Sequence, residues 1–232
     1  MNRRLRIGVR EGYDLWAESY DVTPNAVIAA DSRYTLNLLS PRRRECVLDA
    51  GCGTGRNLRA LLAAGSRAYG LDFSFGMLKV ARRNIASVSL VQGDLQRELP
   101  FRSKCFDAIL CTLIGEHLKD LRFTLEQFNR VLFPGGRLVF SVYHPDLAQA
   151  GKEANFNISG IEYRLGAIRY TVDDYLNLID TAGLRHLRYY EFEGDPDLML
   201  TIPEAENLIG KKVLLVIEAR KAALSCRGTD SC

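Results

Sequence analysis

The chain has 232 residues, of which 47% are hydrophobic and 25% are charged, and its formal net charge is +3. This composition is typical of a folded globular enzyme, and it argues against a disordered chain and against a broadly basic nucleic-acid-binding protein. No apolar run approaches the roughly 20 residues that cross a bilayer, so we expect a cytoplasmic protein with no membrane association. The six cysteines include no Cys-x-x-Cys pair, so neither a metal site nor a disulfide framework is predicted.

Residues 1–40 are predicted to form a helical lid. Tyr13, Trp16 and Tyr20 recur at helical spacing and share one helical face. Such an aromatic stripe is consistent with ordinary core packing and with a lid that closes over a ligand. The helix after it is predicted to begin at Thr23, because a hydroxyl followed by proline is typical of a helix start.

From residue 46 onward, predicted strands alternate with predicted helices. The strands cover 46–49, 68–71, 88–91, 106–111, 138–143, 187–192 and 213–217. The intervening helices include one that ends at Gly65, one capped by Ser74, one over 118–132 and one that begins at Thr171 and closes at Gly183. This alternation predicts an α/β fold with a parallel sheet and right-handed crossovers. No helix of ordinary length separates the last two strands, so an antiparallel final pair is expected.

Two long segments without predicted regular structure follow strands of this sheet, at 144–170 and 194–210. Ligands of open α/β sheets bind beyond the carboxyl ends of the parallel strands, so both segments are predicted to wall a substrate pocket. They belong to a predicted domain over 41–222. The polar residues 223–232 are predicted to be a disordered tail.

The most informative motif is the run Val-Leu-Asp-Ala-Gly-Cys-Gly-Thr-Gly at residues 47–55. A second apolar run ends in Asp72, 21 positions after the first glycine of the motif. Glycines allow a sharp turn and the close approach of a ligand to the main chain. A carboxylate at the tip of the neighbouring strand can accept the hydroxyls of a ribose. Together these features predict a site for a nucleoside cofactor.

The pattern Asp49-x-Gly51-x-Gly53-x-Gly55 resembles the glycine loop of the class I S-adenosylmethionine-dependent methyltransferases, especially the ubiquinone- and menaquinone-biosynthesis type. Four further motifs follow in the order of that family: Gly70-Leu71-Asp72-Phe73-Ser74, Gly93-Asp94-Leu95 with 99–101, 106–109, and 130–138. The resemblance covers roughly residues 10–145 and extends to the rest in outline. It implies a Rossmann-like doubly wound, mostly parallel seven-stranded sheet with an antiparallel last strand and an N-terminal helical lid. It also implies S-adenosylmethionine as cofactor and S-adenosylhomocysteine as product.

A dinucleotide-binding dehydrogenase is the alternative enzyme class for a glycine-rich turn of this kind. Its fingerprint is Gly-x-Gly-x-x-Gly, whereas this chain has Gly-x-Gly-x-Gly followed by Arg56 and Asn57. The spacing therefore favours a methyltransferase.

The resemblance also implies which residues hold the cofactor. Asp72 would accept the ribose hydroxyls, Asp94 would accept the exocyclic amine of adenine, and Asp49 would hold the glycine turn or the amino group of the cofactor. The predicted cofactor-binding set is Tyr20, Asp49, Gly51, Gly53, Gly55, Asp72, Phe73, Met77, Asp94, Leu95 and Cys111. Its apolar members are equally consistent with core packing.

Methyl transfer from a sulfonium is a direct displacement, so alignment of the two reactants supplies much of the rate. A general base is needed only for an acceptor that is protonated at neutral pH. Glu116, His117 and His144 are the candidates at the ligand-binding edge of the sheet. His144, which follows the fifth predicted strand, is the predicted base, and hydrogen bonding within its loop is the alternative role. Glu116 and His117 resemble part of the Glu-x-x-Glu-His metal cluster of ubiquinone-type O-methyltransferases. Leu113 occupies the first position of that cluster, so no metal is predicted.

Two motifs of base-modifying methyltransferases are missing from the sequence. It has no Asn/Asp-Pro-Pro-Tyr after the fourth strand and no Pro-Cys nucleophile, so a nucleic acid is not expected as partner. The predicted function is methyl transfer to oxygen or carbon of a small-molecule substrate. Two alternatives stay open: methyl esterification of a carrier-protein-bound acyl group, and cofactor binding without catalysis.

Overall fold

The computed structural model describes residues 3–203 and 205–223, which form one seven-stranded and one three-stranded sheet. All but the first residue of the predicted tail 223–232 lie outside the described residues. None of the helices in the described ranges is long and apolar enough to span a membrane.

The N-terminal part contains strand β1 (Arg3–Arg6), helix α1 (Val9–Trp16), a 3-10 turn (Tyr20–Val22) and helix α2 (Ala26–Leu39). Helix α2 packs on the large sheet. Within the predicted lid 1–40, the part that covers the site described below is therefore residues 3–22.

The predicted helix start at Thr23 is wrong by two residues. Asn25 is the N-cap of α2, and its side-chain oxygen accepts hydrogen bonds from Val27 N (3.0 Å) and Ile28 N (3.1 Å). The Thr23 hydroxyl instead donates to the Ser19 carbonyl and accepts the indole N–H of Trp16. Two residues with good capping propensity lie two positions apart, and the hydrogen bonds of Thr23 to Ser19 and Trp16 leave the capping position to Asn25.

From β2 to β6 the strands and helices alternate as predicted. The strands are β2 (Cys46–Ala50), β3 (Arg67–Asp72), β4 (Ser89–Gln92), β5 (Phe106–Thr112), β6 (Leu132–Tyr143), β7 (Asn155–Ile158), β8 (Ile161–Arg164), β9 (Leu184–Glu193) and β10 (Lys212–Lys221). The helices are α3 (Arg56–Ala63), α4 (Phe75–Asn84), α5 (Leu121–Val131), α6 (Pro145–Gln149), α7 (Val172–Thr181) and α8 (Pro196–Met199).

The large sheet has the strand order β4-β3-β2-β5-β6-β10-β9, and β10 runs antiparallel to both of its neighbours. The predicted fold class is confirmed: an α/β, mostly parallel, seven-stranded sheet with antiparallel final strands. Helices cover both faces, and apolar side chains such as Leu48, Ile109 and Phe140 are fully buried beneath them. The carboxyl ends of β2, β3, β4 and β5 lie along one edge of this sheet.

The fifth predicted strand begins six residues earlier than expected, at Leu132 rather than 138. Helix α5 passes directly into β6, and the register between β5 and β6 shifts between Phe106 and Ala108. The Pro134-Gly135-Gly136 run, predicted to stop the helix, therefore lies inside the strand at this irregularity.

The segment 144–170, predicted to lack regular structure, contains α6 and a β7–β8 hairpin. Strand β1 pairs parallel with β8, from Arg3 opposite Ile161 to Arg6 opposite Arg164. Partners so distant in sequence leave no local pattern, which is why the sequence analysis missed this small sheet. The pairing joins residues 3–22 and the 144–170 segment into one cap over the carboxyl edge of the large sheet.

Candidate active site

A cavity opens at the carboxyl ends of β2, β3, β4 and β5. Eight of the predicted cofactor-binding residues line it: Tyr20, Gly51, Gly53, Asp72, Phe73, Met77, Asp94 and Leu95. Thr112 at the end of β5 and Leu113, Ile114 and His117 in the loop after it also line the cavity. His117 was a candidate from the sequence, whereas the other three were missed. Their position directly after a parallel strand was the available signal.

The turn after β2 is built from three glycines in the left-handed region, with φ of 79° at Gly51, 53° at Gly53 and 89° at Gly55. A Cβ at Gly51 would collide with the Ile114 side chain, so this glycine allows the loop after β5 to close against the turn. A Cβ at Gly53 would meet no atom within 4 Å. Since Gly53 lines the cavity, its missing side chain leaves room for a ligand at the main chain.

Asp72 is the last residue of β3, and its carboxylate hydrogen-bonds both to the glycine turn and to the start of the next helix. Its Oδ2 accepts from Gly53 N (2.9 Å), and its Oδ1 accepts from Ser74 N (2.8 Å). The Ser74 hydroxyl in turn caps α4 by accepting from Met77 N. Burial raises the pKa of Asp72 to about 6, against the opposing effect of these backbone donors. The carboxylate therefore faces the cavity from a fixed position.

Asp49 lies fully buried in β2 and does not line the cavity. Neither of its carboxyl oxygens has a hydrogen-bond partner among the described residues. Burial, helped by the nearby Asp72 carboxylate, raises the pKa of Asp49 to about 7. Buried polar groups are normally paired, so an orphaned carboxyl behind the glycine turn fits a cofactor that carries an ammonium group.

Asp94 follows β4 and lines the cavity, and its Oδ1 accepts from Gln96 N (2.9 Å). Phe73, Met77 and Leu95 line the cavity as well. Met77 and Leu95 are nearly fully buried, so they present an apolar wall suited to a flat ring.

Two other predicted cofactor-binding residues do not line this cavity. Gly55 is the residue before α3, and a Cβ there would lie 3.0 Å from Ile85 Cδ1, so its role is close packing against α4 and the residue that follows it. Cys111 is fully buried within β5.

The predicted aromatic stripe stands between this cavity and a second one. Trp16 stacks on Phe156 of the hairpin with a ring-centroid distance of 4.9 Å, and Tyr20 meets Trp16 edge to face at 4.8 Å. The Tyr13 hydroxyl and His117 Nε2 are 3.0 Å apart. The stripe is thus both buried packing and a wall of the site.

Polar contacts fasten the cap to the sheet edge. Asp14 Oδ1 accepts from the Ser74 hydroxyl (2.7 Å) and from Gly76 N (2.8 Å) at the start of α4. Asp21 Oδ1 accepts from the Thr54 hydroxyl of the glycine turn at 2.6 Å. These bonds hold residues 3–22 over the cavity.

The second cavity lies on the other side of the stripe and shares Tyr13, Tyr20 and Leu113 with the first. Leu113 has a φ of +56°, a conformation that L residues adopt only at a cost. Its main-chain N–H donates to the Ser141 carbonyl at 2.8 Å. The strained residue is therefore held at the junction of the two cavities.

Glu116 lines the second cavity, and its neighbour His117 lines the first. Burial raises the pKa of Glu116 to about 7 and lowers the pKa of His117 to about 4. No group of three histidine, cysteine, aspartate or glutamate side chains in the described part of the chain could hold a metal ion.

His144, the predicted base, lines neither of these two cavities. It is 1% exposed and is the N-cap of α6, because its Nδ1 accepts from Asp146 N at 3.1 Å. Its Nε2 lies 2.9 Å from Glu191 Oε1 on β9. Both ring nitrogens are engaged, so the geometry matches the alternative role of hydrogen bonding within the loop.

Three buried carboxyl groups make the stability of the ligand-free protein pH-dependent. The folded-state pKa values of Asp49, Asp72 and Glu116 lie above their ordinary values. The folded chain therefore keeps protons that the unfolded chain releases as the pH rises from about 4 to about 7, and the free energy of unfolding falls across that window.

We expect Asp49→Asn to remove its share of this loss. From about pH 5 to about pH 8, the unfolding free energy of the unsubstituted protein should fall by about 1–3 kcal/mol more than that of the variant. Urea denaturation at the two pH values measures the difference. An equal difference at both would show that Asp49 ionises normally in the folded state.

Comparison with known proteins shows which family part of this chain is similar to. Residues 48–140 match the family model described as a methyltransferase domain. Over 134 residues the chain is 34% identical to the demethylmenaquinone methyltransferase of Clavibacter sepedonicus, covering 55% of this chain and 54% of that protein. The chain thus spans about half the length of this curated relative.

Solved structures share the fold at lower identity. An S-adenosylmethionine-dependent methyltransferase from Mesorhizobium loti superposes with a TM-score of 0.67 at 22% identity, over 80% of this chain and 95% of that one. The [4+2]-cyclase SpnF superposes with a TM-score of 0.65 at 18% identity, over 93% of this chain and 96% of that one. A fold shared with a cyclase does not by itself assign an activity. The family match is more specific than the shared fold: residues 48–140 of this chain are similar to a methyltransferase domain.

Proposed function

We propose that this protein transfers a methyl group from S-adenosylmethionine to a small-molecule acceptor by direct displacement. One observation carries the proposal: a cavity at the carboxyl edge of the sheet brings together the open face of Gly53, the Asp72 carboxylate and Asp94. The orphaned Asp49 carboxyl behind the turn supports the same cofactor.

Each part of the cofactor has a chemically suited partner in this proposal. Asp72 accepts the ribose hydroxyls, while Asp94 and the apolar wall of Phe73, Met77 and Leu95 hold the adenine. Asp49 balances the charge of the amino group. When bound, S-adenosylmethionine supplies a methyl group from its sulfonium, which becomes the neutral thioether of S-adenosylhomocysteine. The cap of residues 3–22 keeps water away from the reacting atoms.

The second cavity is suited to the acceptor because it adjoins the first and combines apolar and aromatic walls with several polar side chains. The Clavibacter relative is named for demethylmenaquinone, so we propose a quinone-type acceptor and reduced demethylmenaquinone as the first compound to test. The expected cytoplasmic location belongs to this proposal. Methyl esterification of a carrier-bound acyl group is not favoured, since this relative is named for a small molecule.

Calorimetry with S-adenosylmethionine, S-adenosylhomocysteine and a nicotinamide dinucleotide tests the cofactor. We expect the first two to compete for one site and the dinucleotide not to bind; the reverse pattern would indicate a dehydrogenase. Mass spectrometry of reactions with reduced demethylmenaquinone, and then with metabolite extracts, tests the activity through a gain of one methylene in mass. Cofactor binding without any such gain would indicate a non-methylating use of the cofactor.

A further inference from the structure

Glu116 is held rigidly at the wall of the second cavity. It lies in the 3-10 turn Gly115–His117, which follows β5. A Cβ at Gly115 would lie 2.6 Å from Val142 Cγ1 and 2.7 Å from Phe140 Cζ, so glycine lets this turn pack directly on β6. The carbonyl of Glu116 accepts from Ile168 N at 2.8 Å. Main-chain packing and bonding therefore fix where the side chain begins.

The carboxyl group of Glu116 is buried without a complete set of partners. The residue is 5% exposed, and its Oε2 has no hydrogen-bond partner among the described residues. A buried polar atom without a partner is costly. Since Glu116 lines the second cavity, a ligand there that carries a donor would satisfy it.

The other titratable groups around Glu116 stay uncharged near neutral pH. The surrounding groups are Tyr13, Tyr20, Cys111, Tyr143 and Tyr175, which come from the cap, β5, β6 and α7. Burial raises the pKa of each of them, and the lowered pKa of the adjacent His117 keeps it neutral. In this group, Glu116 is the side chain whose charge changes near pH 7.

The walls of the second cavity indicate the kind of ligand. Trp16, Tyr143, Leu147 and Leu208 contribute aromatic and apolar surface. Its Glu153 is neutralised by ion pairs with Arg164 (2.7 Å) and Arg6 (3.6 Å). Lys152 adds a positive charge to the lining, and no free carboxylate besides Glu116 lines the cavity in the described residues. An uncharged ring with a hydroxyl group therefore fits these walls better than an ammonium compound.

We propose that the second cavity binds a hydroxylated aromatic acceptor, of phenol or hydroquinone type, and that Glu116 accepts the proton of its hydroxyl group. The inference rests on the proposed function and adds the proton acceptor to it. The O–H bond of the acceptor breaks, the proton goes to Glu116 Oε2, and the electron pair stays on the acceptor oxygen. The oxygen and the ring carbons conjugated with it become more nucleophilic toward the methyl group. A carboxyl with a pKa of about 7 suits this role at neutral pH.

Binding of 1-naphthol tests the contact without turnover. With saturating S-adenosylhomocysteine, calorimetry is expected to show affinity that rises roughly fivefold from about pH 6 to about pH 8, since the ionised carboxylate is the stronger acceptor. In Glu116→Gln the affinity should not change with pH. A wild-type affinity that is equally independent of pH, or a variant that keeps the rise, would overturn the contact.

Ala154→Leu tests the location, because Ala154 lines the second cavity but not the first. The added side chain should prevent binding of 1-naphthol and leave the Kd for S-adenosylhomocysteine within about twofold of wild type. Naphthol binding at wild-type affinity to a folded variant would place the acceptor elsewhere. Thermal melting establishes that both variants are folded.

Turnover supplies the remaining readout. For an acceptor that the wild type methylates, Glu116→Gln should lower kcat about 10²–10⁴-fold with unchanged cofactor binding, and Glu116→Asp should restore part of it. The break near pH 7 in kcat/KM for the acceptor should disappear in Glu116→Gln. Wild-type kcat in that variant would refute the role of Glu116. Failure of the wild type to bind either cofactor form would instead refute the proposed function, and naphthol binding would still be measurable.

Discussion

Replacing Gly53 with alanine is expected to raise the Kd for S-adenosylhomocysteine roughly a hundredfold or more, which is about 3 kcal/mol of binding free energy. The new Cβ meets no protein atom within 4 Å, so the folded protein has space for it. Because Gly53 lines the cofactor cavity, that space is the one the cofactor needs. Gly53→Val, with two further methyl groups, should abolish binding. Calorimetry measures both variants.

Gly135→Ala is the matched control for this experiment. Gly135 also has a positive φ, 78°, and its Cβ would also meet no atom within 4 Å. It lies near the amino end of β6, whereas the cavity opens at the carboxyl ends of its neighbouring strands. Both substitutions should cost a similar ~1–2 kcal/mol of stability through backbone strain. Wild-type cofactor affinity in a folded Gly53→Ala protein would show that the turn is not the cofactor cradle.

Replacing Asp72 with alanine is expected to weaken binding of S-adenosylhomocysteine by about 1.5–3 kcal/mol, or ten- to a hundredfold, the range for hydrogen bonds to a charged group. The structure adds a second effect, because Asp72 also holds Gly53 N and Ser74 N. The fold would tolerate the loss of an exposed carboxylate at a strand end. Asp72 is buried, so Asp72→Ala should also lower the melting temperature.

Ligand variants separate the ribose contact from this supporting role. Wild-type protein should bind adenosine more tightly than 2′,3′-dideoxyadenosine, and Asp72→Ala should lose that preference. Asp94→Ala, which changes a carboxylate at the predicted adenine end of the same cavity, should keep it. If Asp72→Ala still prefers adenosine to the same degree, the ribose hydroxyls bind elsewhere and Asp72 acts only on the loop.

Local sequence patterns were sufficient for the large sheet and for one end of the site. Alternating strands and helices predicted the fold class, and the glycine turn with Asp72 and Asp94 predicted residues that line one cavity. These features are local: each glycine needs its own left-handed φ, and each carboxylate follows its own strand. The Ser74 cap and the Thr171–Asp174 capping box were readable for the same reason.

Tertiary structure decided the rest of the site, because the relevant partners are far apart in the chain. The pairing of β1 with β8 builds the cap from segments about 158 residues apart. The local pattern of apolar residues does not predict a pairing between such distant segments. The sequence favoured His144 because it follows the fifth predicted strand. The fold engages both of its ring nitrogens, one as a helix cap and the other as a partner of Glu191. Burial raises the pKa of Glu116 to about 7, and the fold places this residue at the wall of the second cavity. The sequence by itself determined the fold class and the glycine turn, whereas burial and long-range contacts decided which ionisable groups face the cavities.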